Sequence, residues 1–362
     1  MTVGTQNQDT LGQTVTVCNG RVRIERGHDP FVRVPDFTLK CVGFVGEVAS
    51  RDSSGVSGDL CATGFFASIE MSEYDPRFKS VRAVYFVTAR HVADDLKGRE
   101  FYFLVNKRGG GTLVIDSILG DQWWLHPNDQ AADVAVAQVS NRPEADIISV
   151  DFNQFGTSER LQRQDIGIGD ETYATGLFTP APGTAQNVPI VRHGNIAMMA
   201  GEEIQTELGF ASVHLVETRS IGGLSGSPVF VRPTIRAKVD PKLGKGAAFC
   251  GVGDGATLLG LMHGHWDIKE SEMNRAFFTH DRKHGVNMGI GIVVPATKIL
   301  ETLNQEKLME IRKEGLRQLQ KSARGMIPGT DSAKPKSEDG EQFTREDFEG
   351  ALKKATRKVP KK

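Results

Sequence analysis

The sequence is poor in the features that would place it in a class at once. It has four cysteines in 362 residues, at positions 18, 41, 61 and 250, with no CxxC spacing among them. A disulfide framework belongs to small secreted domains, so these four are expected to be free thiols in a reducing, cytoplasmic compartment. Neither sign of charge is in surplus: 44 basic residues stand against 45 acidic ones, for a net charge of −1. The chain as a whole therefore has no pull toward nucleic acid or an anionic membrane. No apolar run approaches the length of a membrane span. The opening MTVGTQNQDTLGQ has neither a basic n-region nor an apolar h-region, and is not expected to be a signal peptide. Internal repeats are absent, and so is any alternation of strand with long helix.

What is present is a chain with 39% hydrophobic and 25% charged residues, the balance of a soluble globular protein. Short β-like stretches recur from about residue 14 to residue 296, among them LKCVGFVGEV, GFFASI, AVYFVTA, FYFLV, DVAVAQV, SVHLVET, SPVFV, LLGLMHG and IGIVVP. Gly, Pro, Asp and Asn clusters punctuate them, which predicts a sandwich or barrel. From Thr297 to Gly325 the composition turns helical, with the apolar pairs Leu300/Leu303, Leu308/Ile311 and Leu316/Leu319. Successive pairs drift round a helix by roughly 80° at 3.6 residues per turn. A curved packing surface, or a bend near Gly315, is therefore expected, with the helix lying on the C-terminal β-region. Residues 326–343 read as a linker. Thr344 and Asp347 start a last short helix, and the final ten residues carry six Lys or Arg and no acid. That tail reads first as a solvated face and second as a local contact for nucleic acid, membrane or a partner.

Three segments form a chemical set. YFVTARHVAD runs an apolar strand into His91; ADVAVAQV is an alternating strand headed by Asp133; GGLSGSPVF is a small-residue turn that carries Ser225 into a strand. Each alone is an ordinary strand end or turn. Together, in the order His, Asp, Ser, they supply what acyl transfer needs. A serine hydroxyl is a poor nucleophile at neutral pH without a base in reach. Histidine takes that proton and returns it to the leaving amine. A carboxylate on the other ring nitrogen fixes the tautomer. The backbone N–H groups of Gly223 and Ser225 are the candidate oxyanion donors, each typically worth ~10²–10³ in rate.

These segments resemble the trypsin/chymotrypsin-like serine peptidase superfamily, with its T-A-A-H, D-[apolar]-A-[apolar] and G-x-S-G-G-P signatures. The resemblance covers roughly residues 38 to 300 and implies an all-β core of two six-stranded antiparallel β-barrels with a C-terminal helical extension. Its implied organisation is an N-terminal extension (1–37), a first barrel with His91 and Asp133 (38–145), a second barrel with Ser225 (146–300), and a helical extension, linker and basic tail (301–362). It also implies a serine endopeptidase with a protein or peptide substrate and no cofactor. Arg219 then falls at the base of the specificity pocket, and His263 and His265 on the substrate-lining strand. Subtilisin-like order and the G-x-S-x-G elbow are both excluded, the latter because residue 227 is Ser.

The departures from the family pattern matter too. Val92 stands where secreted relatives have a cysteine, which leaves Cys61 without the usual bridge. Leu224 replaces the Asp that captures a freshly cut N-terminus, so activation, if needed, is expected from a protein partner or from ordering of the loop before Ser225. Arg90 replaces the second Ala of T-A-A-H, and Ser227 the second Gly of the serine motif. Two other classes stay open: a catalytically silent peptidase-fold binding module that holds a partner, and a metal-dependent hydrolase on His263, His265, His280 and His284, an HxH pattern that fixes no third ligand. GVGDG at 251–255 is a weak phosphate-loop look-alike, since no helix clearly follows it.

Overall fold

The computed structural model describes residues 15–18, 21–24 and 34–325, with internal exceptions of which the longest are 219–223, 233–236, 240–247, 251–255 and 269–285. Residues 1–36 form one unit and 37–362 another. In the first, β1 (Val15–Cys18) pairs antiparallel with β2 (Arg21–Ile24). The short helix α1 (Asp36–Lys40) follows in the chain. The basic tail and the helix expected after Thr344 lie outside the described residues.

The N-terminal β-system contains β3 (Val42–Asp52), β4 (Gly55–Glu70), β5 (Arg82–Thr88), β6 (Phe101–Asn106), β7 (Thr112–Ile115), β8 (Trp124–Leu125), β9 (Ala135–Gln138) and β10 (Val150–Asp151), with α2 (Arg90–Asp95) after β5. β4 is its spine. Its first half alternates exposed with half-buried positions, as an outlying hairpin should. Its second half, ATGFFASI, is buried on both faces between β3 and β5. The rings of Phe44, Phe65, Phe66, Phe86 and Phe103 fill this core. Gly64 is required there, because a Cβ would overlap the Phe86 ring.

The strand order is β7-β6-β3-β4-β5-β9-β8, with β10 parallel beside β4. This path does not close into the six-stranded first barrel expected for residues 38–145. The sheet curls instead: Ser117 and Val139 form an isolated bridge, and the Ile118 N–H donates to the Gln138 carbonyl at 2.8 Å. The chain also adds β10 to this sheet before leaving it.

Beyond it, α3 (Ser158–Arg163) is capped by the Thr157 hydroxyl, which accepts from the Arg160 N–H at 3.2 Å. Next come β11 (Glu171–Leu177), β12 (Pro189–Met198), the hairpin of β13 (Ile204–Thr206) and β14 (Gly209–Ala211), and β15 (His214–Glu217). They are followed by β16 (Pro228–Val231), the hairpin of β17 (Ala237–Val239) and β18 (Ala248–Cys250), β19 (Thr257–Ile268) and β20 (Val286–Pro295). Six of these strands close a barrel in the order β11-β12-β15-β20-β19-β16. Its centre holds Ala174, Ile196, Val216, Val229, Val231, Leu259, Met262 and Val293. Each buried branched aliphatic there contributes roughly 1.5–3 kcal/mol of transfer free energy.

The helical extension is two helices, α4 (Ala296–Leu303) and α5 (Glu306–Gly325), with the break at Asn304 and none at Gly315. That break separates Leu300 and Leu303 from the later pairs, and Leu308, Ile311, Leu316 and Leu319 are all buried along the second helix. α4 lies against β19, β20 and β9. α5 does not simply rest on the barrel, because its fully buried Arg312 ties it to the N-terminal sheet. The Arg312 guanidinium donates to the hydroxyls of Tyr74 (2.9 Å) and Tyr85 (3.0 Å), to the Leu303 carbonyl (2.8 Å) and to Asn304 Oδ1 (3.2 Å). Cys41 and Cys61 are both free, the first buried and the second exposed. Burial pushes the Cys41 thiol well above the ordinary range.

Candidate functional site

The two β-systems are stitched together at Thr63, on β4. Its hydroxyl donates to the Leu177 carbonyl at 3.2 Å and accepts from the Leu177 N–H at 3.0 Å, joining the sheet to the first barrel strand. The Thr63 carbonyl accepts from the Thr88 hydroxyl at 2.8 Å. Thr88 ends β5, and the chain turns there into α2, so this bond sets the position of His91 one residue into the helix.

The turn that carries Ser225 meets the same hub. Gly226 has φ +85°, and a Cβ on it would overlap both the Thr63 carbonyl oxygen and the Thr88 Oγ1. Only glycine allows that conformation and that approach together. The turn is also bonded to β19: the Gly226 N–H donates to the Met262 carbonyl, and the Met262 N–H to the Ser227 carbonyl, each at 2.8 Å. The Ser225 hydroxyl donates to the His263 carbonyl at 3.1 Å.

Asp133 heads the run into β9 and is almost wholly buried. Its Oδ1 accepts from the His91 backbone N–H at 2.9 Å, and its Oδ2 lies 2.9 Å from His91 Nδ1. The same Oδ2 lies 2.5 Å from Nδ1 of His263. An ionised carboxylate only accepts, so both Nδ1 atoms carry protons, and in each neutral ring Nε2 is the basic nitrogen. Burial works to raise the Asp133 carboxyl, but the bonds from His263 and His91 and the charges of those rings outweigh it, and hold the group well below the ordinary carboxylate range. The two imidazoles meet edge to face, with centroids 5.5 Å apart at 85°. The His91 side chain is 36% exposed and that of His263 11%, so His91 is the ring more open to solvent.

The sequence-derived residues thus divide into groups. His91 and Asp133 are hydrogen-bonded, and Ser225 sits on the adjoining turn. His263 was expected to line a substrate pocket, but its imidazole is turned to Asp133. The cause is a β-bulge: the β19–β20 register slips between Met262 and Gly264, and His263 is the extra residue. Bulges of this kind re-aim a side chain. His265 is half-buried on β19 opposite Gly291. Arg219, Gly223, His280, His284 and the GVGDG segment lie outside the described residues. The link from His263 to Asp133 went unseen in the sequence, where HGH signals only two side chains on one strand face.

His91, Asp133 and His263 have the composition of a metal-ligand set, with candidate ligand atoms within 4.8 Å of one another. Both Nδ1 atoms, however, point at one carboxylate oxygen at hydrogen-bonding distance, so protons on the rings account for the arrangement. Chemically, the set offers an imidazole of fixed tautomer on a buried carboxylate.

No family model matches the chain, and no curated protein sequence matches it. Among solved structures it is similar to the apo-form protease domain of MamO from Magnetospirillum magneticum. The identity is 14% and the TM-score 0.44, over 74% of this chain and 98% of that one.

Proposed function

We propose that the protein is a serine endopeptidase on a trypsin-like double-barrel plan, in which the curled N-terminal sheet takes the place of the first barrel. The observation that carries this reading is the two-point grip of Asp133 on His91, through backbone N–H and Nδ1, beside the Gly226-pinned turn that presents Ser225. The Ser225 hydroxyl attacks the peptide carbonyl as His91 Nε2 takes its proton. The tetrahedral oxyanion is held by the backbone N–H groups of Gly223 and Ser225. On collapse, His91 gives the proton to the leaving amine and an acyl-Ser225 ester remains. Water, deprotonated by His91 in turn, then releases the acid. Asp133 keeps the ring in the productive tautomer and stabilises its imidazolium form. General-base catalysis of this type is worth ~10²–10⁴ in rate.

A second reading rests on the Ser225 hydroxyl, whose hydrogen bond goes to the His263 carbonyl. Attack requires rotation about the Cα–Cβ bond toward His91. A protein that never makes that rotation is a peptidase-fold binding module that holds a partner in its cleft.

Labelling with a fluorophosphonate probe separates the two. The peptidase reading expects labelling of the wild type, none in Ser225→Ala and a loss of at least ~10² in rate in His91→Ala. Absence of labelling in the wild type, with and without added cell lysate, favours the binding module.

A further inference from the structure

We infer that His263 is a positioning residue for the proposed catalytic pair, a second imidazole that shares Asp133 with His91 and ties the protonation of the two rings together. This rests on the peptidase reading for its consequence in activity, though not for its physical content.

Asp133 Oδ2 receives both Nδ1–H groups, and Oδ1 receives the His91 backbone N–H. With the carboxylate 1% exposed, no solvent shell stands in for a lost donor. His263 therefore fixes the same Oδ2 that receives the His91 ring, while Oδ1 keeps the His91 backbone N–H. The bulge at residue 263 builds this contact into the fold, because a regular strand would have carried the ring elsewhere.

The second consequence is electrostatic. A proton taken from solvent at Nε2 of His263 makes that ring a cation while Nδ1–H stays on Asp133. The carboxylate's charge is then shared with His263, and less remains to stabilise the His91 imidazolium. A proton on His91 has the converse effect on His263. Two cationic rings with centroids 5.5 Å apart also repel. Such sites titrate as a pair, with apparent constants that belong to neither ring alone.

The titratable groups recorded against His263 are Asp133 and His91, with His265 two residues along its own strand. On α2, Arg90 is paired with Asp94. The facing β20 residues are Gly291, Ile292 and Val293, which do not titrate. The acid limb of activity should therefore be spread over a wider pH range than the single-proton limb of a lone His–Asp pair.

The test uses the full chain, with wild type, His263→Gln and His263→Ala. The glutamine side chain retains an N–H donor for Asp133 and cannot titrate. Imidazole NMR across pH 4–9 is the readout that needs no activity. The expected result is that His91 and His263 in the wild type each report both protonation steps, and that His91 in His263→Gln reports one. An unchanged His91 curve in His263→Gln overturns the inference. If the variants do not fold, the wild-type curves decide: independent single steps overturn it and coupled ones support it. In activity, His263→Ala is expected to lose about tenfold or more in kcat with little change in KM, the range typical of lost outer-shell support. His263→Gln should recover most of kcat while its acid limb narrows to an ordinary single-proton curve. Coupled titration in a protein whose Ser225 never labels would leave this network standing and remove the peptidase reading.

Discussion

The two β-systems of the larger unit place their functional groups by different means. The N-terminal sheet has an open path, yet it holds His91 and Asp133 through main-chain geometry: a helix turn fixed by Thr88 and a carboxylate that grips both a backbone N–H and a ring. The C-terminal barrel is closed and better defined as an architecture. Its contribution, Ser225, rides on a turn between strands and is held by Gly226 against the other system. Closure of a sheet and rigidity of a site are therefore separate properties. His91 is held in place by local bonds, whereas the position of Ser225 depends on how the two systems meet at Thr63.

The sharpest way to break this comparison is at its rigid member. Asp133→Asn replaces a pure acceptor with an amide that can donate, which reverses the tautomer logic at His91 and His263 together. A loss of about 10³–10⁴ in fluorophosphonate labelling rate is expected, the scale seen when a triad carboxylate is neutralised. Loss below tenfold would mean that the pair does not act as a base. The other member, the turn that carries Ser225, is tested by Gly226→Ala. A left-handed backbone costs a non-glycine residue roughly 1–2 kcal/mol, and overlap with Thr63 and Thr88 adds to it. We expect destabilisation of about 3 kcal/mol in urea unfolding, with labelling at Ser225 reduced at least tenfold. A variant with wild-type stability would show that the turn is not pinned at Thr63.

Much of this was legible in the sequence, and the reasons are local. The strands were readable because apolar runs end in Gly, Pro or Asp. His91, Asp133 and Ser225 stood out because each interrupts or heads such a run with a residue type that chemistry needs. Register was not legible. The bulge that turns His263 toward Asp133 arises from β19–β20 pairing, and nothing within HGH reports it. Closure was not legible either, since the curled sheet and the closed barrel are built from similar strands. The break at Asn304 was hidden because Leu303 and Leu308, on either side, continue an apolar pattern. The burial of Arg312 was not legible, because it depends on residues distant in the chain. Its partners Tyr74 and Tyr85 lie 238 and 227 residues earlier in the chain.

Arg312 extends the comparison to α5, which it ties to the open sheet as a buried cation bonded only to neutral groups among its recorded partners. Its guanidinium also lies over both tyrosine rings, 5.7 and 5.8 Å from their centroids. Arg312→Leu retains apolar volume but strands the Tyr85 hydroxyl in the core. Hydrogen bonds to a charged group are worth about 1.5–3 kcal/mol, so a loss near 3 kcal/mol is expected, with faster hydrogen exchange along α5 and little change in the barrel. Arg312→Lys should recover only part of this, because a point charge cannot serve the four fork contacts at once. Equal loosening of α5 and the barrel would show that the extension belongs to both systems alike.

The barrel has a titrating core group of its own. His214, at the start of β15, is buried, and its Nδ1 accepts from the Ala200 N–H at 2.9 Å. Burial pushes its pKa down to about 4 from 6.5. Above pH 6.5 the ring is neutral in folded and unfolded chains alike and contributes no pH dependence. Between pH 6.5 and 4 the unfolded chain takes up a proton that the native one refuses, so stability falls as pH falls, and the penalty is complete below 4. At about 1.4 kcal/mol for each pH unit, the full penalty is about 3 kcal/mol. Asp133 behaves differently. Its depressed carboxyl stabilises the fold above the ordinary aspartate range, and that contribution is lost only as pH drops below it. Urea midpoints at pH 7.5 and 4.5 for wild type and His214→Gln isolate the barrel's share, since Gln can accept from Ala200 but does not titrate. The variant should lose less stability than the wild type over that interval, by about 2 kcal/mol. Equal losses would mean that the barrel interior admits the charged ring, and that its closed architecture is the softer of the two.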